Sequence, residues 1–195
     1  MGSMPGLRER KKHETRYTLM VTALRLFSER GYDHVTCEDI AEAANVSPRT
    51  FFRYFDTKAD VVMGFAPIRM EAFQDGLRAP GRTVVELVLE HLEGLVDEWN
   101  GDPEVFQTQA DLADRNSAVA AVRVRVFDRY RETVVTALHA EGRLESAFEV
   151  ELLAAYLVDA FLASVRVWRD SGARADLKAM FTEAVSRAVA QFDYA

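Results

Sequence analysis

Apolar residues recur at three- and four-residue steps along almost the whole chain, and this spacing predicts helices throughout. From about Leu7 to Arg30 the stripe is Tyr17, Met20, Val21, Leu24 and Phe27. Gly31 ends it, because a residue without a β-carbon can take the left-handed conformation that closes a helix, and Tyr32 can then fold back onto the last turn. Thr36 followed by Asp39 reads as an N-cap with an acidic partner at the third helical position. A helix of about two turns follows, carrying Ile40, Ala41 and Ala44. Asn45 tolerates the left-handed turn conformation, and Ser47-Pro48 supplies a side-chain cap and a proline at the first position of a third helix. That helix runs to about Phe55 and is interrupted by Asp56-Thr57-Lys58.

Beyond this point the same periodicity predicts helices at about Ala59 to Phe73, Thr83 to Trp99, Pro103 to Asp114, Arg115 to Glu141, Glu149 to Asp170 and Ala175 to Phe192. The breaks fall at turn-forming compositions such as Ala79-Pro80-Gly81, Gly142 and Ser171-Gly172. No alternating strand pattern, internal repeat or low-complexity linker is present. The expectation is an all-α chain of about nine helices. A three-helix N-terminal module with its leading arm occupies residues 1–58, and a larger helical body occupies residues 59–195.

The third helix carries the chemistry. Projected at about 100° per residue, Phe51 and Phe55 share a face with Pro48 and can pack on Ile40, Ala44 and Val46. Arg49, Phe52 and Arg53 fall together on another face. Two arginines one turn apart and turned away from the core suit the DNA major groove, because a guanidinium can donate two bonds to guanine O6 and N7. Thr36, Thr50, Tyr54 and Lys58 flank that face with hydroxyls and an ammonium suited to phosphate oxygens. Ser47 and Pro48, at the exposed start of the helix, complete the DNA-facing set. Solvated surface charge is the ordinary reading of any one such arginine. Two aromatics beside them, on a short capped helix, are harder to explain that way.

Composition sharpens this picture. With 49% apolar residues, the 195-residue chain can build a packed core. Its uncharged runs reach only about eight residues, such as Val61 to Ile68, against the roughly 20 that span a bilayer. No membrane contact, and a cytoplasmic location, are therefore expected. A single cysteine, Cys37, excludes an internal disulfide and a thiolate metal cluster, and the four histidines show no metal-ligand spacing. No metal, cofactor or catalytic residue is assigned. The net charge of −7 argues against a nucleic-acid partner until its distribution is considered. Residues 1–58 hold 10 Lys or Arg against 8 Asp or Glu, a net +2, and the remainder holds 14 against 23. A basic anchor sits on an acidic body.

The run LRLFSERGYDHVTCEDIAEAANVSPRTFFRYFDTKADVV, with Gly31, Thr36, Ile40, Ala41, Ser47, Phe51, Tyr54, Phe55 and Lys58 in register, resembles the DNA-binding domain of the TetR family of bacterial repressors. Cys37 stands where that family usually has an aliphatic residue, and Asn45 where glycine is common. The resemblance implies that Lys58 opens a connector helix and contacts phosphate, that Thr50 and Tyr54 contact the backbone, and that the outward face of the third helix touches bases. SPRTFFRYF with the preceding LRERKK arm is similar to an actinobacterial branch that binds acyl-CoA-like ligands.

A reader of this kind works in pairs, since two recognition helices must meet successive major grooves about 34–36 Å apart. Its expected partners are therefore a second copy of itself and a palindromic double-stranded operator. The segment from Val150 to Trp168 is apolar almost all round. Leu153, Leu157, Phe161 and Val165 form one stripe, and Phe181, Ala184 and Ala188 of the last helix offer a matching one, which together suggest a four-helix dimer interface. Completion of the monomer core is the alternative. A small hydrophobic effector would need an apolar pocket with few polar groups. The candidates to line it are Phe73, His91, Leu95, Trp99, Phe106, Gln109, Arg123, Phe127 and Tyr130. Two other readings stay open: a constitutive or architectural DNA-binding factor without a ligand, and a small-molecule enzyme.

Overall fold

The computed structural model describes residues 7–172, 174–192 and 194. Among them are ten α-helices, one 3-10 turn and no strand: α1 (Leu7–Arg30), the turn Tyr32–His34, α2 (Cys37–Ala43), α3 (Pro48–Tyr54), α4 (Lys58–Val62), α5 (Ala66–Leu77), α6 (Val84–Gly101), α7 (Pro103–Arg115), α8 (Ser117–Glu141), α9 (Ala147–Asp170) and α10 (Leu177–Gln191). The all-helical expectation holds, and the predicted punctuation lies where the structure has it. Gly31 sits at φ 82 and Asn45 at φ 56, and the Tyr32 ring packs 4.9 Å from that of Phe27. Thr36 and Asp39 form a reciprocal capping box, and the Ser47 side chain caps α3 with Pro48 in its first turn.

One predicted helix is two. The segment expected to run unbroken from Ala59 to Phe73 stops at Val62 and restarts at Ala66. Pro67 explains the interruption, since within a continuous helix it would lack the N–H for the Met63 carbonyl and its ring would clash there. Gly64 lies in the break, where an added β-carbon would meet the Val61 carbonyl oxygen at 3.0 Å and Met20 at 3.3 Å. The backbone approaches α1 that closely because residue 64 has no side chain.

Packing divides the chain differently from chain order. One compact unit comprises residues up to Pro67 together with Glu104–Val124, and the other comprises Ile68–Pro103 together with Arg125 onward. In the first unit, α1 buries Leu19, Met20, Ala23, Leu24, Leu26 and Phe27. Its buried arc is therefore centred on Ala23 rather than on the stripe read from the sequence, and Tyr17 is exposed. Contact with both α2 and α4 requires that wider arc. Ile40, Ala41, Phe51, Val61 and Val62 complete this core at no more than 1% exposure, and Ala113 of α7 and Val119 of α8 close it.

In the second unit α9 packs on α10. Leu153, Leu157, Phe161, Phe181 and Ala188 are all at most 2% exposed within the single chain, and the Phe161 and Phe181 rings meet edge-on at 5.6 Å. These five residues were expected at a dimer surface. They fill the core of their own unit instead, while Val165 and Ala184 are half-buried. The apolar residues that α9 does expose lie on another face: Phe148, Leu152 and Val167 are 73%, 42% and 52% exposed.

Candidate nucleic-acid interface and effector cavity

Helix α3 is held from behind and bare in front. Phe51 is fully buried and Phe55 nearly so, their rings 5.7 Å apart, while Phe52 is 48% exposed and stacks edge-on to Phe51. Arg49 and Arg53 are exposed, and neither makes an ion pair among the described residues. The Arg53 guanidinium rests 5.2 Å from the centre of the Tyr54 ring. Ser47 Oγ accepts from the Thr50 amide at 3.1 Å and lies 3.0 Å from Thr50 Oγ1. The outward face thus presents two unpaired guanidiniums on a helix too short to stand without its caps and its buried phenylalanines.

Two of the expected phosphate contacts have other partners. The Thr36 hydroxyl donates to Asp39 at 2.7 Å and accepts from its amide at 3.1 Å, so its proton is engaged within the chain. The hydroxyl donation, together with the Thr36 backbone N–H donating to the same carboxyl at 2.8 Å, holds the Asp39 carboxyl below the usual carboxylate range. Lys58 is half-buried. Its Nζ donates to the carbonyls of Tyr32 at 2.8 Å and Val35 at 3.0 Å, and sits 4.4 Å from the centre of the Tyr32 ring. Two of its three N–H bonds therefore fasten the turn between α1 and α2, leaving one for phosphate. Lys58→Ala is accordingly expected to lower the stability of the protein by roughly 1.5–3 kcal/mol as well as weaken binding to every DNA sequence. An unchanged denaturant midpoint would show that the tie contributes nothing.

Sequence reasoning missed Arg16. It is half-buried on α1, in register with Leu19, Met20 and Ala23, and a cation aligned with an apolar stripe was the available signal. Its Nη1 donates to the Gly64 carbonyl at 2.6 Å and its Nη2 to the Tyr54 carbonyl at 3.2 Å. Its guanidinium lies 4.7 Å over the Phe55 ring and 5.7 Å from that of Tyr54. Burial lowers its pKa from the ordinary arginine value.

The nine candidate effector residues separate. Phe73, His91, Phe127 and Tyr130 come together around a cavity of about 20 Å³ in the second unit, closed by Val88, Leu92, Val134, Leu157, Val158 and Phe161. Leu95 is buried in that unit, and Trp99 stacks 5.6 Å from Phe161. Phe106, Gln109 and Arg123 belong to the first unit. There Gln109 Nε2 donates to the Val62 carbonyl at 2.7 Å and contacts Met20 Sδ at 3.3 Å, and Arg123 pairs with Asp114 at 2.8 Å.

The cavity holds about one water's volume. Its lining is apolar, because the polar atoms of the residues around it, His91 Nε2 and the Tyr130 hydroxyl, lie 3.0 Å apart and bond each other. Burial, with a lesser contribution from Arg69, pulls the His91 pKa down to about 4, and burial pushes Tyr130 up to about 12. Both are neutral near pH 7. Above pH 6.5 His91 is neutral in folded and unfolded chains alike and imposes no penalty. As pH falls from there toward 4, the unfolded chain takes up a proton that the folded site refuses, so stability drops by roughly 2–3 kcal/mol. His91→Gln should remove this part of the melting-temperature profile between pH 7 and 4; a variant profile parallel to the parent's would refute the assignment.

Among the described residues no group of three or more His, Cys, Asp or Glu side chains could hold a metal, and no helix is long and apolar enough to cross a membrane. Burial and the neighbouring Glu38 raise the Cys37 pKa, which keeps that thiol protonated.

Comparison with known proteins agrees with this geometry. The family model for bacterial regulatory proteins of the tetR family matches residues 19–63. The transcriptional regulator TcmR of Streptomyces glaucescens is 54% identical over 59 residues, which are 30% of this chain and 26% of TcmR, so the chain spans about a quarter of that relative. The transcriptional repressor KstR2 of Rhodococcus jostii is 27% identical over 174 residues, 83% of each chain. Among solved structures, Thermus thermophilus FadR, a TetR-family repressor in complex with lauroyl-CoA, shares the fold at a TM-score of 0.61 with 22% identity, covering 89% of this chain and 93% of its own. Taken with the capped α2–α3 pair and its outward arginines, these matches show that residues 19–63 are a module of the TetR family of bacterial regulatory proteins, in a chain that shares the fold of TetR-family repressors.

Proposed function

We propose that the protein is a transcriptional regulator that binds a palindromic double-stranded operator as a homodimer and acts as a repressor, released by a small hydrophobic effector. The observation that carries this reading is the exposed face of α3, where Arg49 and Arg53 stand one turn apart with no carboxylate partner among the described residues. An uncompensated pair of guanidiniums on a rigidly backed helix suits bidentate contact with guanine edges. Thr50, Tyr54, Ser47 and the remaining N–H of Lys58 flank it as phosphate contacts.

The effector reading rests on the cavity in the second unit. Its walls are apolar, and the His91 and Tyr130 groups beside it bond each other and are neutral near pH 7, which favours an uncharged hydrophobic group such as an acyl chain, with any charged part of the effector lying outside. At about 20 Å³ the closed cavity is smaller than such a chain. Binding must therefore displace side chains, and the ligand would select an opened state over the closed one. An acyl-CoA-like effector is the finer assignment, supported by the likeness to FadR, which is described with lauroyl-CoA. For the dimer, the exposed stripe of Phe148, Leu152 and Val167 on α9 replaces the buried residues first expected there.

Selection of duplexes from a random-sequence library, followed by thermal shift with acyl-CoAs and small hydrophobes, tests the proposal. A ligand that raises the melting temperature should also weaken binding to the selected duplex. Enrichment of a palindrome with no ligand response would favour a constitutive factor, and no enrichment at all would remove the regulator reading.

A further inference from the structure

We propose that Arg16, which is not itself among the expected DNA contacts, is a positioning residue for sequence recognition, setting the placement of Arg53 through Tyr54. The inference rests on the DNA-reading role of α3 and adds to it a residue that acts from behind the helix.

The last carbonyls of a helix have no partner within it, and a cation near that end is also favoured by the helix dipole. Arg16 meets both conditions for α3. It bonds the carbonyl of Tyr54, the last residue of the helix, and stacks on Phe55, its C-cap. With its other terminal nitrogen it bonds Gly64 in the break between α4 and α5. One planar group thus fixes the end of the reading helix relative to that break. Neither contact is an ion pair, because both acceptors are backbone carbonyls, which cannot swing away as a carboxylate side chain can.

The break is held from another direction as well. Gln109 of α7 donates to the Val62 carbonyl, and Gly64 packs so closely on Met20 that an added β-carbon would meet it at 3.3 Å. Arg16 is therefore anchored to a defined point. The Tyr54 ring carries that position outward, with the Arg16 guanidinium 5.7 Å and the Arg53 guanidinium 5.2 Å from its centre. Lysine could keep the charge but could neither bond two divergent carbonyls with a rigid fork nor stack on Phe55.

The test uses the full chain with Arg16→Lys, the most enriched duplex from a random-sequence library, and poly(dI-dC) as non-specific DNA. Positioning predicts that affinity for the enriched duplex falls about tenfold or more, that affinity for poly(dI-dC) stays within about twofold because the charge is retained, and that base preference relaxes where Arg53→Ala relaxes it. A variant that is less heat-stable but keeps the parent's affinity ratio and base preference would overturn the proposal, since Arg16 would then be structural only. If Arg16→Lys does not fold, side-chain ¹⁵N spectra of the unaltered protein decide. Slowly exchanging, separate Arg16 Nη signals that persist on the enriched duplex support it, and signals averaged to those of a free arginine overturn it. Failure of the unaltered protein to enrich any duplex would instead bring down the DNA-reading role on which this rests.

Discussion

Phe161→Glu unfolds the second unit instead of separating two copies of the chain. Phe161 is 1% exposed and packs on Phe181, Trp99 and Phe127. Loss of a buried phenylalanine costs about 3–5 kcal/mol, and an unpaired buried carboxylate adds several more, against a total stability of about 5–15 kcal/mol for a typical domain. Circular dichroism should show a lost or strongly lowered transition. Leu152→Glu should behave oppositely, with a melting curve close to the parent's but sedimentation as a monomer and weakened operator binding. If Leu152→Glu remains dimeric, the exposed face of α9 is not the interface. If Phe161→Glu stays folded, its place in the core is misassigned.

Replacing Arg49 and Arg53 together with alanine should cost about 1–3 kcal/mol of specific binding each, measured by fluorescence anisotropy on the selected duplex. Both side chains are exposed and carry no ion pair among the described residues, so the folded state loses little and a near-parental melting temperature is expected. Residues that read bases should also leave their signature in selection, with preference relaxed at the positions each one contacts. Weakening that is equal across all sequences, with a salt slope lowered by about one per residue, would place these arginines on phosphates instead.

The local punctuation of the chain was legible because it is local. Gly31, Thr36–Asp39, Asn45 and Ser47-Pro48 act over one to four residues, and each does in the structure what its chemistry implies. The break before Pro67 was legible in principle, since proline there opposes a continuous helix, but the apolar run Val61 to Ile68 masked it. Which face of α9 turns inward was not legible, because a helix apolar on most sides gives periodicity no contrast. The assignment of α7 to the first unit was hidden for a different reason: an amphipathic stripe says that a helix packs and not against what. Arg16 and Lys58 were misread or passed over because cations are expected to seek carboxylates, phosphates or water, and here both find carbonyls.

On the proposed DNA-binding role, that inward turning bears on how the protein would search a chromosome. Arg16 and Lys58 count among the 10 basic residues of the first 58, yet each donates two hydrogen bonds to the chain's own carbonyls. Fewer counterions are released at an arbitrary site than the charge count suggests, and a wrong site is left sooner. Brief visits lose little at any one stop and let more sites be sampled in a given time. Residence is long only where the bases fit.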